Sequence, residues 1–208
     1  MSQNAEVLTL SRRTGVSAGE IRIELLRKSI HLLIALVPSL AGMIGILPTI
    51  YLLATGTIVY AACEQLRMSG RKVPLVSVVT ALAARRRDAG KFVLGPITLG
   101  LGAMLALVLY PAPAASVAIY ALAFGDGLSS LVGKLFGVIR LPFTGGKSLE
   151  GSLTCFIAVF FSAFALSGRI LQSAAVAIVA TVTEAAPLKD FDNIILPTVV
   201  GAIAWLLL

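Results

Sequence analysis

The sequence predicts an all-α membrane protein, a polytopic helical bundle with about seven transmembrane helices and a cytoplasmic N-terminus. The first observation behind this class is composition: 58% of the 208 residues are apolar and 13% are charged. The second is a mean hydropathy of +0.96. Soluble domains carry about 25% charged residues. The composition therefore excludes a soluble globular domain, a disordered chain and, with only two cysteines, a disulfide-rich secreted module.

The apolar stretches divide the chain into seven predicted spans, because about 20 apolar residues cross a bilayer. In chain order they are 29–47, 48–66, 92–110, 113–135, 151–167, 170–187 and 194–208. Residues 1–28 are polar and lack the features of a cleavable signal peptide. They are predicted to form a cytoplasmic N-terminal helix that begins at a capping box, Ser17 to Glu20. Residues 29–208 are predicted to form a single transmembrane domain.

The third observation is the distribution of positive charge relative to these spans. Sixteen of the 17 Lys and Arg residues precede the first span or lie in alternate loops, and only Arg169 lies on the other side. The positive-inside rule then places the N-terminus and the long loops in the cytoplasm. Residues 75–84 are predicted to form a short helix on the membrane surface. The adjacent Arg85–Arg87 either binds anionic lipid headgroups or only determines topology.

Several of the ten acids lie where a charge is costly. Asp126 is inside the fourth span and Glu184 is near the end of the sixth, with Asp190 and Asp192 just beyond it. Ionisable residues at membrane depth are paired, hydrated or functional. In the predicted topology all four lie toward the cytoplasmic side, which favours one shared polar site over separate structural ion pairs.

Two glycine-rich stretches accompany these acids. Asp126 is flanked by glycines that allow close backbone approach or a local helix break, and Lys134 follows Gly133. The second stretch, 145–148, offers a flexible backbone, a lysine and a hydroxyl just before a helix, a pattern suited to phosphate. It is not a P-loop, because Leu141 occupies the position of the first required glycine. A carboxylate beside such a loop suits Mg²⁺ with nucleotide phosphates.

Basic residues at the start of the first span extend this pattern. Arg27, Lys28 and His31 share one helical face. His31, the only histidine, is either a general base or phosphate ligand, or a packed interfacial residue. Glu64 and Arg67 are three positions apart and are predicted to form an ion pair.

With these motifs in order, the chain resembles the dolichol kinase, phytol kinase and CTP-dependent diacylglycerol kinase family, distantly related to phosphatidate cytidylyltransferase. The matching pieces are Arg27-Lys28-x-x-His31, Gly125-Asp126-Gly127, Gly133-Lys134, Lys147-Ser148-x-Glu150-Gly151-Ser152, Glu184, Asp190-x-Asp192-Asn193 and Pro197. The chain departs from dolichol kinases in its shorter length and in Gly127, where they often have threonine. These departures concern the acceptor lipid more than the chemistry.

The resemblance implies a CTP-dependent kinase that phosphorylates a membrane lipid alcohol, whether a polyprenol, a phytol-like alcohol or diacylglycerol. It implies catalytic roles for Asp126, Glu184 and His31. It implies Mg²⁺ bound by Asp126, Asp190 and Asp192. The residues expected to bind the nucleotide are Arg27, Lys28, Lys134, Gly145, Gly146, Lys147, Ser148, Glu150 and Gly151. Asp126 is the first choice for orienting or deprotonating the lipid hydroxyl, and Glu184 is the second.

Alternatives remain at this point. A cytidylyltransferase transferring CMP to a lipid phosphate also needs CTP and Mg²⁺, whereas a transporter would need polar residues through the full depth of the bilayer. The third alternative is a membrane subunit with a purely structural role. The expected partners are CTP, a lipid alcohol and the bilayer, with no nucleic acid. The small residues of 95–102 are compatible with a homo-oligomer. The expected location is the cell membrane, with the site facing the cytoplasm.

Overall fold

The computed structural model describes residues 18–71, 90–188 and 191–208, and throughout these ranges every regular element is a helix. This confirms the predicted all-α class. The helices are α1 (Ala18–Leu33), α2 (Val37–Ile44), α3 (Ile46–Met68), α4 (Gly95–Leu109), α5 (Ala112–Tyr120), α6 (Gly127–Leu135), α7 (Leu149–Ser167), α8 (Ile170–Ala185) and α9 (Asp192–Leu207). A 3₁₀ turn, Ile34–Leu36, joins α1 to α2. The capping serine Ser17, the predicted surface helix 75–84 and Arg85–Arg87 lie outside the described residues.

Among the described residues, four helical stretches are long and apolar enough to cross a membrane. They are Glu24–Ile44, Ile46–Met68, Ala112–Leu135 and Leu149–Ser167. The other three predicted spans form the apolar helices α4, α8 and α9, of 15 to 16 residues. At 1.5 Å per residue each is about 24 Å long, less than the hydrocarbon thickness of about 30 Å. A count of seven spans and a cytoplasmic N-terminus stay predictions.

The turn between the first two spans lies earlier than the sequence predicted. Helix α2 ends at Ile44 and α3 begins at Ile46, with Gly45 between them at φ +92°. The predicted boundary at Pro48 instead falls in the first turn of α3, where a proline costs no hydrogen bond. Helix α1 continues through residue 28 into the first span, so the N-terminal helix and the first span form one element.

Small side chains dominate the packed interior. Helices α5, α7, α8 and α9 meet around Val117, Val159, Val176 and Val200, all fully buried among alanines. Without a hydrophobic driving force in lipid, such close packing is what holds spans together.

The small-residue face of 95–102 packs inside the chain. A Cβ at Gly100 would lie 2.4 Å from the hydroxyl of Thr57 on α3, and one at Gly102 would lie 1.9 Å from the carbonyl oxygen of Asn193 on α9. Since this face already packs within the subunit, the predicted homo-oligomer needs another surface and stays a prediction.

The helix carrying Asp126 contains a π-helical segment. Ala121–Asp126 joins α5 to α6, making one continuous span with Asp126 as the last π residue. The sequence predicted that the flanking glycines allow either close backbone approach or a local helix break, and the helix changes type here without breaking. A Cβ at Gly125 would lie 3.1 Å from Val159 and 3.3 Å from Cys155, so this glycine permits close packing against α7. π-Segments of this kind are often found at functional sites.

Candidate active site

A cavity of about 460 Å³ lies where the polar ends of α1, α6, α7 and α8 meet the 136–148 loop. Of the described residues, five cations and three carboxylates lie in its wall. They are Arg27, Lys28, Lys134, Arg140 and Lys147, with Asp126, Glu184 and Asp192. Gly145, Gly146, Ser148 and Gly151 also line it. The structure therefore brings most of the predicted site residues to one cavity.

Asp126 is held from α1. The ammonium of Lys28 donates to Oδ2 of Asp126 at 2.8 Å and to its backbone carbonyl at 3.1 Å. Both side chains are less than a tenth exposed. Nδ1 of His31 lies 3.3 Å from the same Oδ2 without hydrogen-bonding geometry. His31 does not line the cavity, and its predicted role as a general base or phosphate ligand stays a prediction.

Glu184 is held on the opposite side by the loop lysine. Lys147 donates to Oε1 of Glu184 at 2.8 Å and also to the backbone carbonyl of Glu184. The hydroxyl of Ser129 donates to Oε1 at 3.1 Å. The other oxygen, Oε2, is buried and has no hydrogen-bond partner. Glu184 thus presents one unused acceptor oxygen within the wall of the cavity.

A third acid, which the sequence analysis missed, joins two of the predicted nucleotide-binding cations. Glu24 accepts from Arg27 through Oε1 and from Lys134 through Oε2. A sequence signal was available, because Glu24 lies three positions before Arg27 and seven before His31, on the same helical face. Arg140, which donates to the carbonyl of Gly146 at 3.0 Å, was also missed.

The loop before α7 is closed by its own hydrogen bonds. Ser148 is the N-cap of α7, and its hydroxyl accepts from the amide of Gly151 at 3.1 Å. Glu150 accepts from the amides of Val138 and Ile139 at 2.9 and 3.2 Å and does not line the cavity. The prediction that Glu150 contacts the nucleotide is not matched by its position, since this carboxylate orders the loop instead.

Hydrogen bonds also occupy backbone amides at the N-terminus of α7, where the sequence predicted a phosphate site. The amides of Leu149, Gly151 and Ser152 bond to Ile139, Ser148 and Ser148 respectively. These amides are therefore occupied, and the loop residues that line the cavity include Lys147, Ser148 and the glycines at 145 and 146. Gly145 and Gly146 adopt φ +71° and +98°, conformations that other residues rarely adopt.

Close approach of α6 and α7 shapes the cavity floor. A Cβ on Gly151 would lie 2.6 Å from the backbone oxygen of Ser129. The two helices can therefore meet only because residue 151 has no side chain. This contact brings Ser129, and with it Glu184, to the start of α7.

The predicted metal residues are only partly together. Asp126 and Asp192 both line the cavity, and Oδ1 of Asp192 accepts from the amide of Asn193 at 2.9 Å. Asp190 lies outside the described residues. Within the described ranges, no three His, Cys, Asp or Glu side chains form a group able to hold a metal ion. Two carboxylates beside a cationic cavity nevertheless fit Mg²⁺, which usually binds through one or two carboxylates plus substrate phosphates.

The predicted Glu64–Arg67 pair is present and lies apart from the cavity. Arg67 donates from Nε and a terminal nitrogen to the two carboxylate oxygens of Glu64, both at 2.7 Å. Glu64 also accepts from the amide of Val93 at 2.9 Å, and the Tyr60 hydroxyl donates to the carbonyl of Val93. We call Tyr60, Glu64, Arg67 and Val93 the junction cluster.

Comparison with known proteins confirms the resemblance drawn from the motifs. The chain is 27% identical to chloroplastic phytol kinase 1 of Arabidopsis thaliana, over 93% of this chain and 69% of the relative. It is 35% identical to a probable chloroplastic phytol kinase of Triticum aestivum over 46% of this chain and 37% of the relative. It is 28% identical to chloroplastic farnesol kinase of Arabidopsis thaliana over 60% of this chain and 46% of the relative.

The matches therefore span about two thirds of the first relative and less than half of the other two. No family model matches the chain, and no solved structure matches it. The names place these relatives in chloroplasts, so the comparisons do not support the predicted cell-membrane location.

Proposed function

We propose that this homologue of phytol and farnesol kinases is itself a kinase that phosphorylates the hydroxyl of a membrane lipid alcohol. The observation that carries the proposal is the cavity, in which five cations and three carboxylates converge at one end of an apolar helical bundle. Phosphoryl transfer is catalysed mainly by positioning and charge neutralisation, which need this combination. The names of the relatives make a phytol-like or farnesol-like alcohol the first acceptor to test.

The cations bind the nucleotide phosphates in this proposal. Lys134 and Lys147 are 53% and 29% exposed, so their ammonium groups remain accessible from the cavity. Lys28 is buried against Asp126 and acts mainly by holding that carboxylate. CTP as the donor rests on the motif resemblance.

Asp126 and Asp192 are the residues proposed to hold Mg²⁺. When bound with the nucleotide, the ion neutralises charge that develops on the transferred phosphoryl group. The protein's part is to present Asp126 at a fixed position, and Lys28 does so from α1. Removing magnesium with a chelator is expected to abolish activity.

Glu184 replaces Asp126 as the first choice for the base. Its Oε2 has no hydrogen-bond partner, whereas Asp126 accepts from Lys28 and is the residue proposed to hold Mg²⁺. The Glu184 carboxylate takes the proton of the lipid hydroxyl while the hydroxyl oxygen forms a bond to the γ-phosphorus. The bond from that phosphorus to the β–γ bridging oxygen breaks, and CDP leaves with the electron pair. Lys147 and Ser129 orient Glu184 for this step.

The acceptor approaches from the bilayer. Long-chain alcohols keep their tails in lipid, so a kinase built of membrane helices brings its phosphate site to the headgroup level. We infer that the cavity opens on the positively charged side of the membrane, which the positive-inside rule identifies as the cytoplasmic or equivalent side.

The test is a product assay on purified full-length protein in lipid nanodiscs. The protein is incubated with magnesium, CTP or ATP, and phytol, farnesol, a polyprenol or diacylglycerol, and products are identified by mass. A lipid heavier by one phosphate, with label from γ-labelled CTP, supports the proposal. Label only from α-labelled CTP with release of pyrophosphate identifies a cytidylyltransferase instead. Asp126→Asn is expected to abolish turnover while the protein still inserts and folds.

A further inference from the structure

Glu24 is a charged residue beside the cavity that belongs to none of the sequence motifs and does not line the cavity wall. Its side chain is only 6% exposed, and it contacts two cations 107 positions apart, Arg27 and Lys134. The Ser130 hydroxyl also donates to Oε1 at 3.5 Å. A buried carboxylate with two cationic partners therefore ties α1 to the end of α6.

Both partners of Glu24 line the cavity, and both keep unused donors. An ammonium has three N–H donors and a guanidinium has five. Lys134, whose side chain is 53% exposed, donates one to Glu24, and Arg27 donates from one of its two terminal nitrogens. A phosphate can thus bind either cation without displacing Glu24.

We propose that Glu24 is a positioning residue that holds Arg27 and Lys134 in place for the nucleotide phosphates. This inference rests on the proposed function, since it assigns the two cations to phosphate binding. Lys134 shows why a holder is needed. Its side chain is half exposed at the mouth of the cavity, and a free lysine there would lose rotamer freedom each time phosphate binds. With Glu24 in place, that ordering is complete before the nucleotide arrives.

The opposite role, in which Glu24 masks the cations, predicts the opposite result. If Glu24 competed with phosphate for them, its removal would tighten nucleotide binding. If it positions them, its removal weakens binding and leaves the chemical step nearly unchanged, because Glu24 does not line the cavity.

The experiment compares Glu24→Gln and Glu24→Asp with the wild-type full chain in nanodiscs. KM and kcat for the nucleotide are measured at saturating lipid alcohol, and binding of a non-hydrolysable nucleotide analogue with magnesium is measured without lipid. Glu24→Gln is expected to raise KM and the dissociation constant about three- to tenfold, the effect of one or two unordered side chains. The expected change in kcat is less than about twofold. Glu24→Asp, which keeps the charge on a shorter side chain, is expected to recover part of the loss.

A double-variant cycle separates positioning from simple structural support. In a Lys134→Met background, Glu24→Gln is expected to have a smaller effect on KM, because one of the groups it positions is gone. The matched control is Glu64→Gln, which breaks another Glu–Arg pair at the same spacing, outside the cavity. It is expected to leave the nucleotide KM unchanged.

Either of two results with Glu24→Gln would overturn the proposal. One is an unchanged or lower nucleotide KM, and the other is a three- to tenfold fall in kcat at constant KM. If Glu24→Gln does not fold, Glu24→Asp with an unchanged KM overturns it. A wild-type protein that phosphorylates none of the alcohols defeats the proposed function, while the binding measurement still tests Glu24.

Discussion

The chain contains the spacing Glu-x-x-Arg twice on membrane helices, and the two copies serve different regions. Glu64 and Arg67 belong to the junction cluster, where the carboxylate is fully buried and also accepts from Val93. Glu24 and Arg27 lie beside the cavity, where the carboxylate takes a second cation, Lys134. The local pairing is the same in both, and the third partner differs.

That third partner decides what each pair does. In the junction cluster it is the backbone amide of Val93, so the ion pair anchors the segment just before α4 to α3. At the cavity the third partner is Lys134, which keeps unused N–H donors and extends the charged network toward a ligand. Helical spacing therefore predicts that a pair forms, and its surroundings determine whether it stabilises a fold or prepares a site.

The strongest test of this difference removes a cavity carboxylate. Glu184→Gln is expected to lower kcat by about 10²- to 10⁴-fold, the usual contribution of a general base. Nucleotide binding is expected to change much less than kcat, because an amide oxygen at position 184 can still accept from Lys147. A variant that retains more than a tenth of wild-type kcat would show that Glu184 is not the base.

A cavity glycine gives the next largest effect. In Gly151→Ala the new Cβ would meet the backbone oxygen of Ser129 at 2.6 Å, so α6 and α7 must separate. Overpacking of this kind costs about 1–3 kcal/mol, and the separation moves Ser129 relative to Glu184. We expect a lower unfolding temperature together with lower kcat/KM. A stable variant with full activity would mean that the helices do not approach so closely.

The junction cluster predicts loss of stability without loss of function. Glu64→Gln removes the charge that pairs with Arg67, and we expect a destabilisation of about 1–3 kcal/mol. Thermal unfolding in detergent measures it, and nucleotide KM and kcat at a permissive temperature are expected to match the wild type. A specific rise in KM would place the junction cluster in communication with the cavity and break the comparison.

The smallest expected effect is at Gly56, on the same helix as Glu64. A Cβ there meets nothing within 4 Å, and alanine favours a helix over glycine by about 0.5–1 kcal/mol. Gly56→Ala is therefore expected to leave activity unchanged and to keep or slightly raise the unfolding temperature. A marked loss would reveal a helix contact at this position that the isolated subunit lacks.

Sequence alone predicted the helical class and most of the cavity. Charges are costly in lipid, so Asp126 and Glu184 were identifiable because the surrounding residues are apolar. Glu24 was missed because it lies before the first apolar run, where an acid looks ordinary. The position of Glu150 was not predictable for a different reason: only the folded loop shows that its carboxylate faces the amides of Val138 and Ile139. The predicted spans 92–110 and 170–187 are longer than the helices Gly95–Leu109 and Ile170–Ala185, because the apolar sequence continues into turns there.

The π-helical segment Ala121–Asp126 has a consequence for how this span tolerates change. A π turn holds about one residue more than an α turn, so it acts as a phase shift of roughly 100° between the two halves of the span. One half keeps its alanine-rich side in the apolar packing, while the other turns Asp126 and Ser129 to the cavity. Deleting any one residue of the segment would restore a regular helix and put those halves out of phase. The number of residues in this π-helical segment is therefore as tightly constrained as their identity.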